Sequence, residues 1–327
     1  MALSAEYVNA HVEHWSQKLR SEFFPHRKYW PTRLFHHAPI ENALAILREG
    51  CLRARADREN CHPRDVAAPG VINTRDHAHG RVRLYFRPKT PTQYSIEGIR
   101  KAGECQYGET THLPIIVMFA FDSKKILLKD DVEFSDRNMQ LNDASVGNDE
   151  QFFAQIDFEK VYHEGNIGGN REIIDCRCAE VMHSSPLDLH DCLEEIFFRS
   201  KAERDTLLYR LGEVGNRWND ICYVSDALKV FQKDYSFVDH IELKPDGLVF
   251  KLNPRRDHNN VKVRIVIEVE AGQKFLDVTY DSLLAKPPGG GNWIAKVKLE
   301  QGRYLVKLWI EDHLAFENLM SLESELL

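Results

Sequence analysis

Residues 171–186, REIIDCRCAEVMHSSP, are the stretch from which the rest of the chain is read. Ile173, Ile174, Cys176, Cys178, Val181 and Met182 are apolar or small, and Ser184-Ser185-Pro186 ends the run, which predicts one β-strand. On a simple pleat Arg177 and Glu180 then point to opposite faces. A carboxylate in an apolar run is costly to bury without a partner or a task, which makes Glu180 a candidate catalytic acid. The competing reading is an edge-strand glutamate that faces water.

Just upstream, residues 139–169 alternate loop and short helix and end in HEGNIGGN (163–170). Its adjacent glycines permit unusual backbone where a substrate-recognition loop belongs, but they lack the Lys and Ser/Thr of a phosphate-binding loop. Further back, HLPIIVMFAF (112–121) reads as a central strand and VRLYF (82–86) as another. Pro88 and Pro91 predict an extended turn over 87–94, leaving Tyr85 and Tyr94 as stacking surfaces. Residues 53–83 are polar and rich in Arg and His, either a solvated loop or a lid over a pyrophosphate or nucleic-acid backbone. Leu34-Phe35-His36-His37 predicts a strand and residues 39–50 a helix stopped at Gly50. The tandem histidines point to opposite faces, so either both are structural or one looks into a cleft. Residues 4–24 have the stripe of a helix laid against the main domain.

Downstream, 193–198 and 221–224 read as strands and 201–211 as a helix. Near Lys233 the pattern changes to short alternating strands: a hairpin over 241–253, a strand over 261–270, and a second hairpin joining 293–299 to 303–310. This predicts an α+β chain with a helical segment at 1–30, a catalytic domain at 31–232 and an accessory antiparallel β-sandwich at 233–327. With its core taken as self-contained, the sandwich is expected to be dispensable for chemistry.

A net charge of -7 argues against a generally sticky nucleic-acid binder and leaves room for local basic surface around Arg87, Lys89, Arg100 and Lys101. Seven cysteines at irregular spacing fit neither a disulfide framework nor a paired zinc site, so reduced thiols, no metal and a soluble cytoplasmic setting are expected. The chain start has no signal-peptide pattern, and no apolar run reaches the length of a membrane span.

Several pieces in order resemble the DarT family of toxin ADP-ribosyltransferases, which use NAD to modify bases in single-stranded DNA. They are the His-bearing strand with Ile40-Glu41-Asn42 and the Gly-terminated helix; ValArgLeuTyrPhe with Thr90-Pro91-Thr92-Gln93-Tyr94; the turn Ser135-Asp136-Arg137-Asn138; and Arg177-Cys178-Ala179-Glu180-Val181. The resemblance spans about residues 34 to 230. It implies a mixed α/β ADP-ribosyltransferase core with NAD in a central cleft and Glu180 as the catalytic carboxylate, with the clamping arginine one of several in the 53–83 loop, among which Arg75 is the candidate. Where the family commonly has Thr-His-x-x-Asn this chain has His36-His37, so either imidazole, with Asn42, Tyr85 and Tyr94, is expected at NAD. Arg87, Lys89 and Arg177 are expected at the nucleic acid. A toxin–antitoxin or anti-phage role with a macrodomain-type antitoxin follows as an implied setting. The alternatives are the same chemistry on RNA or protein, or an inactive NAD or nucleic-acid binding module.

Overall fold

The apolar run in the first half forms a strand, Ile116–Asp122, with every residue buried except Asp122. The computed structural model describes residues 3–61, 64, 79–101, 103–105, 112–269 and 272–323. The chain divides into two compact units. One comprises Met1–Ser95, Val117–Phe197 and Ser225–Gln232; the other comprises Ile96–Ile116, Phe198–Val224 and Lys233–Leu327.

The first unit is built on a sheet whose strands are β1 (Arg33–Pro39), β3 (Arg81–Tyr85), β4 (Ile116–Asp122), β5 (Glu133–Ser135), β6 (Val146–Gly147), β7 (Glu180–Ser184) and β9 (Leu193–Phe198). They lie in the order β9-β4-β1-β3-β7-β5-β6, and β2 (Cys51–Leu52) pairs separately with β8 (Leu187–Asp188). Helix α1 (Ala5–Lys18) is capped by Ser4, whose hydroxyl accepts from Tyr7 N, and buries Val8 and Val12. Helix α2 (Ile40–Glu49) buries Ile40, Ala43, Leu44 and Leu47 and stops at Gly50, where φ of 76° needs a glycine.

Three sequence expectations are corrected in this unit. The run 171–186 is not one strand: Glu172–Cys176 is a helix, Arg177 caps it, and the strand begins only at Glu180. The side chain of Asn170 accepts from Glu172 N and starts that helix, while Ile173 and Cys176, one turn apart, are its buried pair. Arg177 and Glu180 therefore do not share a pleat. Residues 87–94 are not extended throughout, because Pro91–Ile96 is a short helix with its proline in the tolerated first position. Helix α1 ends at Lys18, so 20–24 is a turn rather than a continuation.

The second unit holds β10 (Cys222–Val224), the helix Lys201–Leu211 and two antiparallel sheets. One sheet is β11 (Val238–Lys244), β12 (Gly247–Leu252) and β15 (Trp293–Lys296). The other runs β14 (Lys274–Leu283), β13 (Val261–Val269), β16 (Gly302–Ile310) and β17 (His313–Leu322). The hairpin expected from 293–299 to 303–310 does not form, since β15 pairs with β12 and β16 with β13 and β17. Val297 and Leu299 instead donate to the carbonyls of Asp246 and Pro245, which carries that segment along the first sheet. Leu248, Phe250, Leu252, Val263, Ile265, Val306, Leu308 and Phe316 form the core of this unit, joined by Ile99 and Ala202 from earlier in the chain. Among the described residues no helix is long and apolar enough to cross a membrane.

Candidate active site

Glu180 opens β7, and the antiparallel register sets Tyr85 of β3 directly across from it, with Arg83 opposite Met182. Paired residues share a face of a sheet, as do residues two apart, so Arg83, Tyr85, Glu180 and Met182 project to one side. The pairing of β1 with β3 sets Phe35 across from Tyr85, which brings His37 to that same side. The His37 imidazole stacks on the Tyr85 ring with centroids 5.5 Å apart and planes 8° from parallel. Alternation turns His36 to the reverse face, where its ring lies 6.3 Å from Phe119 and its Nδ1 lies 3.1 Å from the Arg83 carbonyl oxygen.

Glu180 is only 1% exposed, so it is no edge glutamate facing water. Arg83 donates to both of its oxygens, Nε to Oε2 at 2.6 Å and Nη2 to Oε1 at 2.8 Å. Such a two-pronged bond fixes the plane of the carboxylate as well as its position. The Glu180 backbone N donates to Ser135 Oγ at 3.0 Å, so the turn 135–138 supports the strand at this point. Burial works against the Arg83 guanidinium, but the Glu180 carboxylate more than offsets this and holds it above the usual arginine value. Burial first, and then Glu180, raise the Tyr85 phenol. Burial, assisted by His36, pushes the His37 imidazole down to about 3. The His37–Tyr85 pair is thus a flat, uncharged platform beside a fixed carboxylate, suited to an aromatic ring of a nucleotide.

Arg83 is the site residue that sequence reading passed over, having grouped it with the cations of the 53–83 loop. Its signal was its place two residues before Tyr85 in one strand. Tyr94 lies on the helix Pro91–Ile96 with its ring 45% exposed. Thr92 of that helix lies beside both Tyr85 and Cys178 and favours their charged forms against the burial that dominates both. Asn42 donates from Nδ2 to the Arg64 carbonyl at 2.9 Å and accepts Arg64 N on Oδ1 at 3.0 Å, so it pins part of the 53–83 loop onto α2. Arg75 lies outside the described residues.

The three residues expected at nucleic acid converge on one loop, 161–165, just ahead of the Glu172–Cys176 helix. Arg177 donates from Nε to the His163 carbonyl at 3.0 Å and from Nη2 to the Gly165 carbonyl at 3.1 Å, with His163 Nδ1 at 2.8 Å. Lys89 donates from Nζ to Glu164 Oε1 at 2.9 Å. Arg87 differs from expectation: its side chain is turned inward, stacked over Trp30 and donating to the carbonyls of Pro88 and His163. An arginine this deep braces the loop from beneath, because reaching a phosphate would strip it of those carbonyls. Burial, and then repulsion from Arg177, push the Arg87 guanidinium down to about 9. Burial also lowers Arg27, which donates to the Tyr162 carbonyl at 3.1 Å. Lys89, Arg27, Arg87 and Arg177 thus gather around Glu164, with Glu159 also acting on Arg27, so cations outnumber carboxylates here. Arg100, by contrast, lies in the second unit with its guanidinium 4.3 Å from the centre of the Tyr235 ring. Among the described residues no group of three or more His, Cys, Asp or Glu side chains is arranged to hold a metal ion.

A sequence model of a family described as the ssDNA thymidine ADP-ribosyltransferase, DarT, matches residues 35–224. Among solved structures, DarT of Thermus sp. 2.9 in complex with ADP-ribosylated ssDNA is 19% identical and aligns with a TM-score of 0.50, covering 62% of this chain and 96% of that one. The same protein in complex with carba-NAD+ gives 19% identity and a TM-score of 0.48 over 62% and 98%. Thermosipho africanus DarTG in complex with ADP-ribose gives 15% identity and 0.44 over 67% and 55%. No curated protein matches the chain.

Proposed function

The chain belongs to the DarT family of single-stranded-DNA thymidine ADP-ribosyltransferases, and from that membership we propose that it transfers ADP-ribose from NAD to thymidine in single-stranded DNA, with Glu180 as the catalytic carboxylate. The observation that carries the assignment is the single sheet face that presents His37, Arg83, Tyr85 and Glu180 within the family-matching segment.

Breaking the bond between ribose and nicotinamide builds positive charge on the ribose, which a fixed, buried carboxylate stabilises. The one ring nitrogen of thymine not bonded to sugar carries a proton, so transfer to it needs a base, and Glu180 takes that role. Arg83 orients Glu180. His37 and Tyr85 fit a planar ring of NAD, and Tyr94 adds an exposed aromatic surface nearby in sequence. Asn42 acts by anchoring the loop at Arg64, and His36 supports the strand from its reverse face. Arg75 is assigned to the pyrophosphate. Lys89 and Arg177 are assigned to DNA phosphates, with Arg87 holding their loop in place.

The domain division proposed with this function is a helical segment at 1–30, a catalytic region at 31–232 and an accessory region at 233–327. Modification of thymidine on single strands removes a pairing edge from a replicating template. A toxin acting in the cytoplasm, with a macrodomain-type antitoxin as its partner, is the setting such chemistry fits.

Nicotinamide release from NAD tests the reading directly. It should rise severalfold when a thymidine-containing single strand is added, and respond weakly to the same sequence as duplex or as RNA. Equal stimulation by RNA, or none by DNA, would overturn the substrate assignment.

A further inference from the structure

Between α1 and the strand β1, residues 20–30 read RSEFFPHRKYW. Leu19 is buried at the end of α1 and Trp30 is fully buried, its Nε1 donating to the Leu228 carbonyl at 3.1 Å, so both ends of the segment are fixed. Between them the Phe23 ring is 88% exposed, the most exposed large apolar side chain among the described residues, and the Tyr29 ring is 43% exposed. Phe23 is not on a fraying end. Ser21 Oγ accepts from Phe23 N at 3.2 Å and from Phe24 N at 3.4 Å, a tight turn that aims one ring outward and the next inward. Phe24 packs so closely on Gly165 that a methyl group there would lie 3.1 Å from its Cζ. His26 binds the Glu164 carboxylate, and Arg27 binds the Tyr162 carbonyl. The segment is therefore clamped onto the very loop that Arg177, Lys89 and Arg87 hold, just ahead of the strand opened by Glu180.

We propose that residues 20–29 form a stacking platform that receives bases of the single strand flanking the modified thymidine, with Phe23 and Tyr29 as the stacking rings. The inference rests on the functional reading above and extends the substrate contact beyond residues 35–224. The Phe23 ring, carried on a turn fixed at both ends and left in water, offers its apolar faces to the faces of bases, which stack on aromatics without regard to sequence. The flanking charge suits a phosphate backbone: Arg20, Arg27 and Lys28 stand against Glu22, and Lys28 Nζ lies 4.8 Å from the centre of the Tyr29 ring.

The test measures binding of the full chain, without NAD, to a dye-labelled homothymidine single strand by fluorescence anisotropy. Alongside it, NAD hydrolysis is followed in the absence of DNA. Phe23→Ala should weaken strand binding by at least about fivefold and Tyr29→Ala by less, whereas Phe23→Trp should bind as the parent does. NAD hydrolysis should stay within about twofold in all three, since these side chains lie outside the catalytic face. Strand affinity unchanged in Phe23→Ala, in a protein that still modifies DNA, would overturn this inference alone. Parent-like binding by Phe23→Leu would overturn it too, because leucine keeps the apolar contact and loses the stacking face. A parent chain that binds and modifies no single strand would remove both this inference and the function it rests on.

Discussion

Arg83 decides how the Glu180 carboxylate is held, since its fork engages both oxygens from the neighbouring strand. Arg83→Lys keeps the positive charge and loses the planar fork. Single-turnover kinetics should show transfer slowed roughly 10-fold or more with NAD affinity changed much less, as expected for a residue that orients the reacting group. A slowed rate accompanied by an equal loss of NAD affinity would instead make Arg83 a plain binding residue. A second prediction concerns protons. Burial pushes the imidazoles of His37 and His11 down to about 3 from a usual 6.5. Below about pH 6.5 the unfolded chain takes up protons that the folded chain refuses, so stability falls as pH falls through that window to about 3. The loss is at most about 1.4 kcal/mol per pH unit for each histidine. His37→Gln removes one such group, and its urea midpoint should drop less than the parent's between neutral pH and about pH 5. An equal drop would mean that His37 is protonated in the folded chain. At this scale the types of residue were legible in the sequence: Glu180, Tyr85 and the histidine pair all stood in readable strands. Which histidine shares the face of Glu180 was not, because that follows from the Phe35–Tyr85 and Tyr85–Glu180 registers, and pairing across strands leaves no local trace.

Strands β1, β3 and β7 carry the site, and β5 joins them at Glu180 through one hydroxyl. Ser135 Oγ, fully buried, accepts the backbone N–H of Glu180, the first residue of β7. Ser135→Ala leaves that buried donor without its partner at a cost of about 1–3 kcal/mol. Thermal unfolding should shift down by several degrees, and transfer should slow because the start of β7 is no longer pinned. An unchanged melting temperature would show that Ser135 is replaceable at this position. The elements of this unit were read best where one periodicity rules a whole segment, as in α2 with its Gly50 stop or β4 with its unbroken apolar run. Residues 171–186 misled because Ile173, Ile174 and Cys176 suit a buried helical turn as well as a strand. What decides for the helix lies outside the run, in the Asn170 side chain that accepts Glu172 N and in the loop carbonyls that draw Arg177 away. Residues 313–322 alternate weakly and became a strand through their partner β16, whereas 276–281 alternate cleanly and were passed over.

On the scale of the whole molecule, the C-terminal sheets do not close their core with their own residues. Ile99 and Ala202 belong to it, Ser200 Oγ donates to the Val238 carbonyl at 2.6 Å, and Glu317 N donates to Thr206 Oγ at 3.1 Å. Arg199, buried and paired with Glu203, lies with its guanidinium 4.6 Å from the centre of the Phe237 ring. Cutting the chain after residue 232 would expose these groups, so the truncate is expected to melt well below the parent or to aggregate, contrary to the self-contained accessory domain that the sequence suggested. A truncate that melts with the parent would restore that simpler picture. The change of hydrophobic period near Lys233 was legible in the sequence; the borrowed segments were not, since nothing local marks Ile99 or Ala202 as partners of a distant sheet. The central claim is that this fold serves to place one carboxylate against NAD and a thymidine. Mass spectrometry of a thymidine-containing single strand incubated with NAD and either the parent or Glu180→Gln tests it most directly. The account predicts one ADP-ribose added per modified thymidine by the parent and a rate lower by roughly 10²-fold or more in the variant, at nearly unchanged NAD affinity; an unmodified strand with the parent, or a variant as fast as the parent, would contradict it.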